Sequence, residues 1–136
     1  MHVKRVTAVC ALFVLTCVAG CGDGKGMVTG TVTLDARPIR NGMITFVSID
    51  DGPLIREGAV ITDSAFKTRV PPGKYRVELS AQEPKGSRKQ TGFDGKEEVI
   101  VIQEEIFPEH YNTHSELTEV ITPGENVLNL NLKSNR

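Results

Sequence analysis

Pro71-Pro72-Gly73-Lys74-Tyr75-Arg76-Val77-Glu78-Leu79-Ser80-Ala81 reads as a chain break followed by a half-buried β-strand. Neither proline can donate to a hydrogen-bonded ladder, so the Pro-Pro-Gly unit ends whatever precedes it. Tyr75, Val77, Leu79 and Ala81 then alternate with Arg76, Glu78, Ser80 and Gln82. Strict alternation puts the apolar set on one side of an extended chain and the polar set on the other.

The same pattern recurs on both sides of this strand. Upstream, Val28, Gly30, Val32 and Leu34 alternate with Thr29, Thr31 and Thr33, which predicts a strand rich in β-branched residues. Asp35-Ala36-Arg37-Pro38 and Asn41-Gly42 carry turn signals. Residues 43–49 are apolar on both faces, as a central strand would be, and Asp50-Asp51-Gly52-Pro53 breaks them. Two short strands are expected at 59–62 and 65–70, around Asp63-Ser64. Downstream, 83–96 has glycine at 86, 92 and 95 and no apolar period, so a long exposed loop is expected. Within 97–107, Val99 to Ile102 favour a strand while the flanking glutamate pairs suit a short helix. Residues 117–122 and 126–133 read as a closing pair of strands around Pro123-Gly124, with Leu128, Leu130 and Leu132 inward and Asn129 and Asn131 outward. About seven short strands with turn signals every 8–12 residues predict an all-β, antiparallel β-sandwich over residues 27–134.

The N-terminus has a different grammar. Lys4 and Arg5 precede a charge-free run of 15 residues, 6–20. That length suits the apolar core of a secretory signal helix and falls short of the roughly 20 residues needed to span a bilayer. The run closes on Val18-Ala19-Gly20-Cys21, which resembles the bacterial lipobox: an aliphatic residue, two small ones and a cysteine. The resemblance implies cleavage between Gly20 and Cys21, with Cys21 as the new N-terminus. Its sulfur would carry a diacylglyceryl group and its amine an acyl chain such as palmitate. Each buried CH₂ contributes about 0.8 kcal/mol, so one chain binds marginally and two or more bind stably. Cys10 and Cys17 leave with residues 1–20, and a lone exported thiol at Cys21 needs an explanation, which lipidation supplies. The alternative is ordinary signal cleavage nearby, leaving a free thiol. Residues 21–26 form a glycine-rich tether, and Gly22 after the cysteine differs from the Asp of inner-membrane retention signals, which favours the outer membrane.

Of 136 residues, 116 remain after cleavage, enough for one domain that buries a core without disulfides. Fourteen basic against seventeen acidic side chains leave a charge of −3, which disfavours nucleic acid as a partner. The charges are segregated: Lys85, Arg88, Lys89 and Lys96 crowd one stretch, whereas 97–132 holds eight glutamates and no Lys or Arg. Such a division is either two solvated surfaces or a bipolar face that orients a partner or a neighbouring copy.

Gly30, Val32, Pro38, Asn41, Gly42, Asp63, Phe66, Gly73, Tyr75 and Val77 resemble the pattern of the carboxypeptidase regulatory-like, or transthyretin-like, β-sandwich. Ser64-Ala65 departs from it where a glycine usually precedes the aromatic. The resemblance implies that Tyr75 pins a sheet edge with its hydroxyl. Together with the lipobox, and with Pro108 to Asn112 and Ser115 to Thr118, the chain resembles small exported lipoproteins of planctomycete-type bacteria.

Candidate chemistry is sparse. His110 and His114 form H-x₃-H beside Glu109 and Glu116, a spacing that suits a metal on a helix but sets the rings about 13 Å apart in a strand. Pro108 and Asn112-Thr113 favour loop or strand, so exposed loop histidines are expected. Asp50-Asp51-Gly52 and Asp94-Gly95 are sparser than a calcium loop and read as turns. There is no G-x-S-x-G elbow and no phosphate-binding glycine loop. Phe46, Phe66 and Tyr75 are assigned to the core, leaving Phe93 and Tyr111 as possible aromatic platforms. The expectation is a non-enzymatic, cofactor-free lipoprotein of the cell envelope. It would be anchored through Cys21, with its β-body facing the periplasm or exterior as a binding or structural module, with room for a protein partner. The competing expectation is a metal-dependent or hydrolytic envelope enzyme using His110 and His114.

Overall fold

Tyr75, Val77 and Leu79 are all but completely buried in a strand that runs Gly73–Ser80, as their alternation requires. The structure, a computed structural model, describes residues 22–135; the expected signal helix, the expected cleavage position and Cys21 lie outside the described residues. Ten strands follow one another: β1 (Gly26–Leu34), β2 (Arg37–Pro38), β3 (Asn41–Ser48), β4 (Arg56–Thr62), β5 (Ala65–Val70), β6 (Gly73–Ser80), β7 (Gln82–Thr91), β8 (Glu97–Glu105), β9 (Thr118–Ile121) and β10 (Gly124–Leu132). A single 3₁₀ turn, η1 (Glu109–Tyr111), lies between β8 and β9.

Eight of the strands form one sheet in the order β10-β1-β5-β4-β3-β6-β9, with β2 beside β1, and this sheet curls into a half-barrel. The described residues are all-β, as expected, but their strands number ten, not about seven, and eight of them form one continuous sheet. Its halves β10-β1-β5 and β4-β3-β6-β9 meet through the single pair Thr62↔Ala65, so the sheet folds sharply there. Inside the fold lie Val28, Val32, Ile44, Phe46, Ile61, Phe66, Val70, Tyr75, Val77 and Leu79. Phe46 sits 6.3 Å from Tyr75 edge-on and 6.4 Å from Phe66, bridging the halves with aromatic contacts. The Tyr75 hydroxyl donates to the Pro71 carbonyl at 2.8 Å and so pins the bend before its own strand.

Three sequence expectations need correction. Residues 117–122 and 126–133 do not pair with each other: β9 pairs antiparallel with β6, and β10 pairs parallel with β1, on opposite edges of the sheet. What joins them is a corner held by Asn126, whose side chain accepts from the Thr122 N–H (3.0 Å) and donates to the Thr122 carbonyl (2.8 Å). Thr31 and Thr33 bond Asn129 and Asn131, both at 3.0 Å, along the parallel seam. Asn41-Gly42 is no turn but the start of β3, where a Cβ on Gly42 would lie 2.8 Å from the Ser80 carbonyl oxygen. Lastly, 83–96 is no loop. It contains most of β7, which pairs antiparallel with β8 in a separate two-stranded ribbon and settles 97–105 as strand. All ten residues of β7 are exposed, so no face is buried and no apolar period is written into it.

Candidate functional site

Residues 22–25 enter the body at one end of the sheet. Asp23 pairs with Arg69 at 3.0 Å and Lys25 with Glu57 at 2.8 Å, directly before β1 begins at Gly26. The hydrogen bond that Lys25 donates to the Glu57 carboxylate holds its ammonium above its ordinary range. A Cβ on Gly26 would lie 2.4 Å from the Thr122 carbonyl, so the start of β1, the end of β9 and the start of β10 converge at this end.

The H-x₃-H segment falls in η1 and the turn after it, neither a longer helix nor a strand. His110 is half-buried against the Tyr111 ring, centroids 4.1 Å apart, and its Nε2 has no hydrogen-bond partner among the described residues. His114 is exposed, with Nδ1 3.5 Å from a Glu109 carboxylate oxygen and 3.3 Å from the Thr113 hydroxyl. Among the described residues no group of three or more His, Cys, Asp or Glu side chains is placed to hold a metal ion. Asp50 accepts the Lys74 N–H at 2.7 Å and Asp94 the Lys96 N–H at 3.1 Å, so each closes a local backbone feature. Of the two aromatics left over from the core, Tyr111 is buried and Phe93 stands fully exposed at the ribbon tip.

Where the ribbon joins the body there is a cleft of about 570 Å³, lined among others by Asp35, Arg37, Arg40, Glu83, Glu104 and Ser134. Its near wall is the tight turn at Asp35-Ala36, both with left-handed backbone (φ 52° and 63°), a conformation that Asp tolerates better than most residues. The Asp35 carboxylate accepts from the Ser134 hydroxyl (2.6 Å) and the Ser134 N–H (3.0 Å), tying the turn to the C-terminal segment. These bonds, helped by Lys133 and Arg37, hold the Asp35 carboxyl below the usual carboxylate range. A depressed carboxyl stabilises the folded state above its unfolded pKa and loses that contribution as pH falls through the lower folded value. Residues 132–135 are therefore expected to lose hydrogen-exchange protection as the pH is taken below about 3.8, the ordinary Asp value. Ser134→Ala should show the same loss already at pH 7; equal protection in both proteins would contradict the staple. Across the cleft, Glu105 accepts from Ser80 Oγ (2.6 Å) and from the N–H groups of Ala81 and Phe107 (3.0 Å each), clamping the ribbon to the end of β6. Arg37 and Arg40 are exposed with no carboxylate in ion-pair range among the described residues, so the cleft offers two guanidinium groups for binding.

The ribbon is the feature that sequence reasoning missed. Its cross-strand partners put Arg88 beside Ile100, Gly86 beside Ile102 and Gln90 beside Glu98 on one face, and Lys89 beside Val99 and Ser87 beside Val101 on the other. Val99, Val101 and Ile102 are 65, 51 and 44% exposed, an apolar run open on both faces. Part of the segregated charge falls on the two strands of this hairpin: Lys85, Arg88 and Lys89 on β7, and Glu97, Glu98, Glu104 and Glu105 on β8. Lys89 pairs with Glu97 at 3.0 Å and Lys85 with Glu104 across it. The signal was present in the charge division and the Val-Ile-Val-Ile run, but it lacked the buried face by which strands are usually recognised.

Among the described residues, no helix is long and apolar enough to cross a membrane. Compared with known proteins, the chain matches no family model, no curated protein and no solved structure.

Proposed function

We propose that this chain is an exported lipoprotein, held on a membrane of the cell envelope by acyl chains on Cys21. Its all-β body serves as a non-catalytic binding or structural module facing the periplasm or exterior. The observation that carries the reading is Val18-Ala19-Gly20-Cys21 closing an uncharged run, only four residues before the first strand begins at Gly26. A body tied so closely to its acylated residue is held against the membrane by the Gly26 end. The cleft and ribbon lie at the other end, because β6 runs from Gly73, beside Ile121, to Ser80, where the ribbon departs. The module itself is read as a transthyretin-like sandwich, its halves being the two parts of the sheet that meet only at Thr62↔Ala65. That reading is supported by the inward Val32, Phe66, Tyr75 and Val77 and by the Tyr75–Pro71 bond.

The test is Cys21→Ala in a bacterial host. The unaltered chain is expected in the membrane fraction, with a mass matching cleavage before Cys21 plus acylation. The variant should lose the lipid mass and leave the membrane after the signal is removed. A variant that stays in the membrane with the processed mass unchanged would refute the anchor.

A further inference from the structure

We infer that the β7–β8 ribbon is a self-association arm: it stacks face to face with the ribbon of a second copy, with β7 of each lying over β8 of the other. A two-stranded hairpin alone in water is marginally stable. This one leaves β7 wholly exposed and only Ile100 and Glu105 of β8 partly covered, so it lacks the burial that would hold a ten-residue strand straight. Four consecutive apolar residues, three of them exposed and spread over both faces, are a fault in a solvated arm and a resource in a paired one.

Charge selects the occupant. β7 carries Lys85, Arg88 and Lys89 against a single Glu83, and β8 carries Glu97, Glu98, Glu104 and Glu105 with no cation. Edge-to-edge pairing of β8 with its own copy sets glutamate beside glutamate, and pairing of β7 with β7 sets cation beside cation; both are disfavoured. Stacking about a two-fold axis across the ribbon puts β7 over β7 and fails for the same reason. A two-fold axis along the ribbon puts β7 over β8 of the other copy and satisfies both strands at once. The same axis keeps both bodies, and hence both tethers, on one side of the contact.

The face is selected too. On the Val99 face, Lys89 and Glu97 already neutralise each other at 3.0 Å. On the Ile100–Ile102 face, Arg88 reaches only Gln90, at 3.5 Å, and neither Arg88 nor Glu98 has an ion pair within the described residues. In the stack Arg88 lies over Ile100 of the other copy, next to that copy's Glu98. Ile102 lies over Gly86, where a side chain would meet nothing within 4 Å and the space is open for it. A ribbon about 33 Å long and about 10 Å wide buries roughly 650 Å² in such a pair. That falls short of the about 1,200 Å² of a stable solution dimer. The contact therefore forms where copies are concentrated, and confinement of both tethers to one membrane supplies that concentration. To this extent the inference rests on the proposed anchor.

The experiment is disulfide trapping between two full-length chains with different tags, one carrying Gly86→Cys and one Ile102→Cys, co-expressed in a bacterial envelope and mildly oxidised. A mixed 86–102 disulfide is expected, with 86–86 and 102–102 products much weaker. Adding Arg88→Glu to one chain should lower the mixed product about tenfold, and adding Glu98→Arg to the other chain should restore it. A dominant 86–86 product, no mixed product, or linkage only to a different envelope protein would overturn the inference. Failure of the anchor is read separately: the parent chain would then fractionate as soluble and form a Cys21–Cys21 disulfide. In that event the same variants, purified with Cys21→Ser and concentrated to about 1 mM, are expected to give the mixed product still. Its absence there would reject the stacked ribbon independently of the lipid.

Discussion

Gly30→Ala is expected to detach β10 from the sheet and remove a large share of the protein's stability. An added Cβ at this position would lie 1.7 Å from the carbonyl oxygen of Leu128 and 2.5 Å from its carbonyl carbon. Both atoms are backbone, so no rotamer change relieves the collision; β1 and β10 must part where Gly30 pairs with Leu128. Parting undoes the Thr31–Asn129 and Thr33–Asn131 bonds and uncovers Leu130 and Leu132, which only β10 supplies to the core. The cost belongs to the upper tail for single substitutions, about 4 kcal/mol or more, against a total stability of about 5–15 kcal/mol for a domain. Urea denaturation with a far-ultraviolet readout measures it. Gly58→Ala is the control: it lies in β4, where a Cβ would meet the Ile44 carbonyl oxygen at an ordinary 3.5 Å, and should move the midpoint little. Equal midpoints for the two variants would show that the parallel seam does not have this register.

What could be read in advance follows from which residues bury a face. Val28, Val32, Tyr75, Val77 and Leu79 announced themselves because alternation is the imprint of one wet side and one dry side, and each is buried where the pattern placed it. Leu130 and Leu132 were equally legible as inward-facing. Their strand partner was not, because inward alternation says nothing about which neighbour supplies the ladder. Nothing local distinguishes β10 beside β9 from β10 beside β1; the choice lies in the Asn126 corner and in the glycine at position 30. Asn41-Gly42 misled for a related reason: the same residues that favour turns also serve where a backbone passes close by, here the Ser80 carbonyl. The ribbon was illegible as β7 because a strand exposed on both faces leaves no periodic trace, although its charges were conspicuous. As for the candidate site, the Asp35-Ala36 turn was visible in the sequence. Its cleft was not, since the other wall comes from residues 83 and 104–106, nearly fifty and seventy positions away.

Phe46→Ala is the second large effect, and it tests how the two parts of the curled sheet hold together. They share a single strand pair, Thr62↔Ala65, so hydrogen bonding across the fold is slight and side-chain packing must carry the join. Phe46 is fully buried at the middle of that packing, on β3 between β4 and β6, with Phe66 of the opposite part on one side and Tyr75 on the other. Truncation removes the transfer energy of the ring, leaves a cavity and cancels both aromatic contacts, at a cost of about 3–5 kcal/mol. Phe93→Ala removes the same ring from the exposed ribbon tip and should fall within about 0.5 kcal/mol of the parent. If the halves are joined through Phe46, the large variant should also loosen exchange protection on both sides at once, in β1 and β5 as well as in β3 and β6. Loss confined to β3 and β6, with β1 and β5 still protected, would mean that the parts fold separately and that the aromatic bridge is not what unites them.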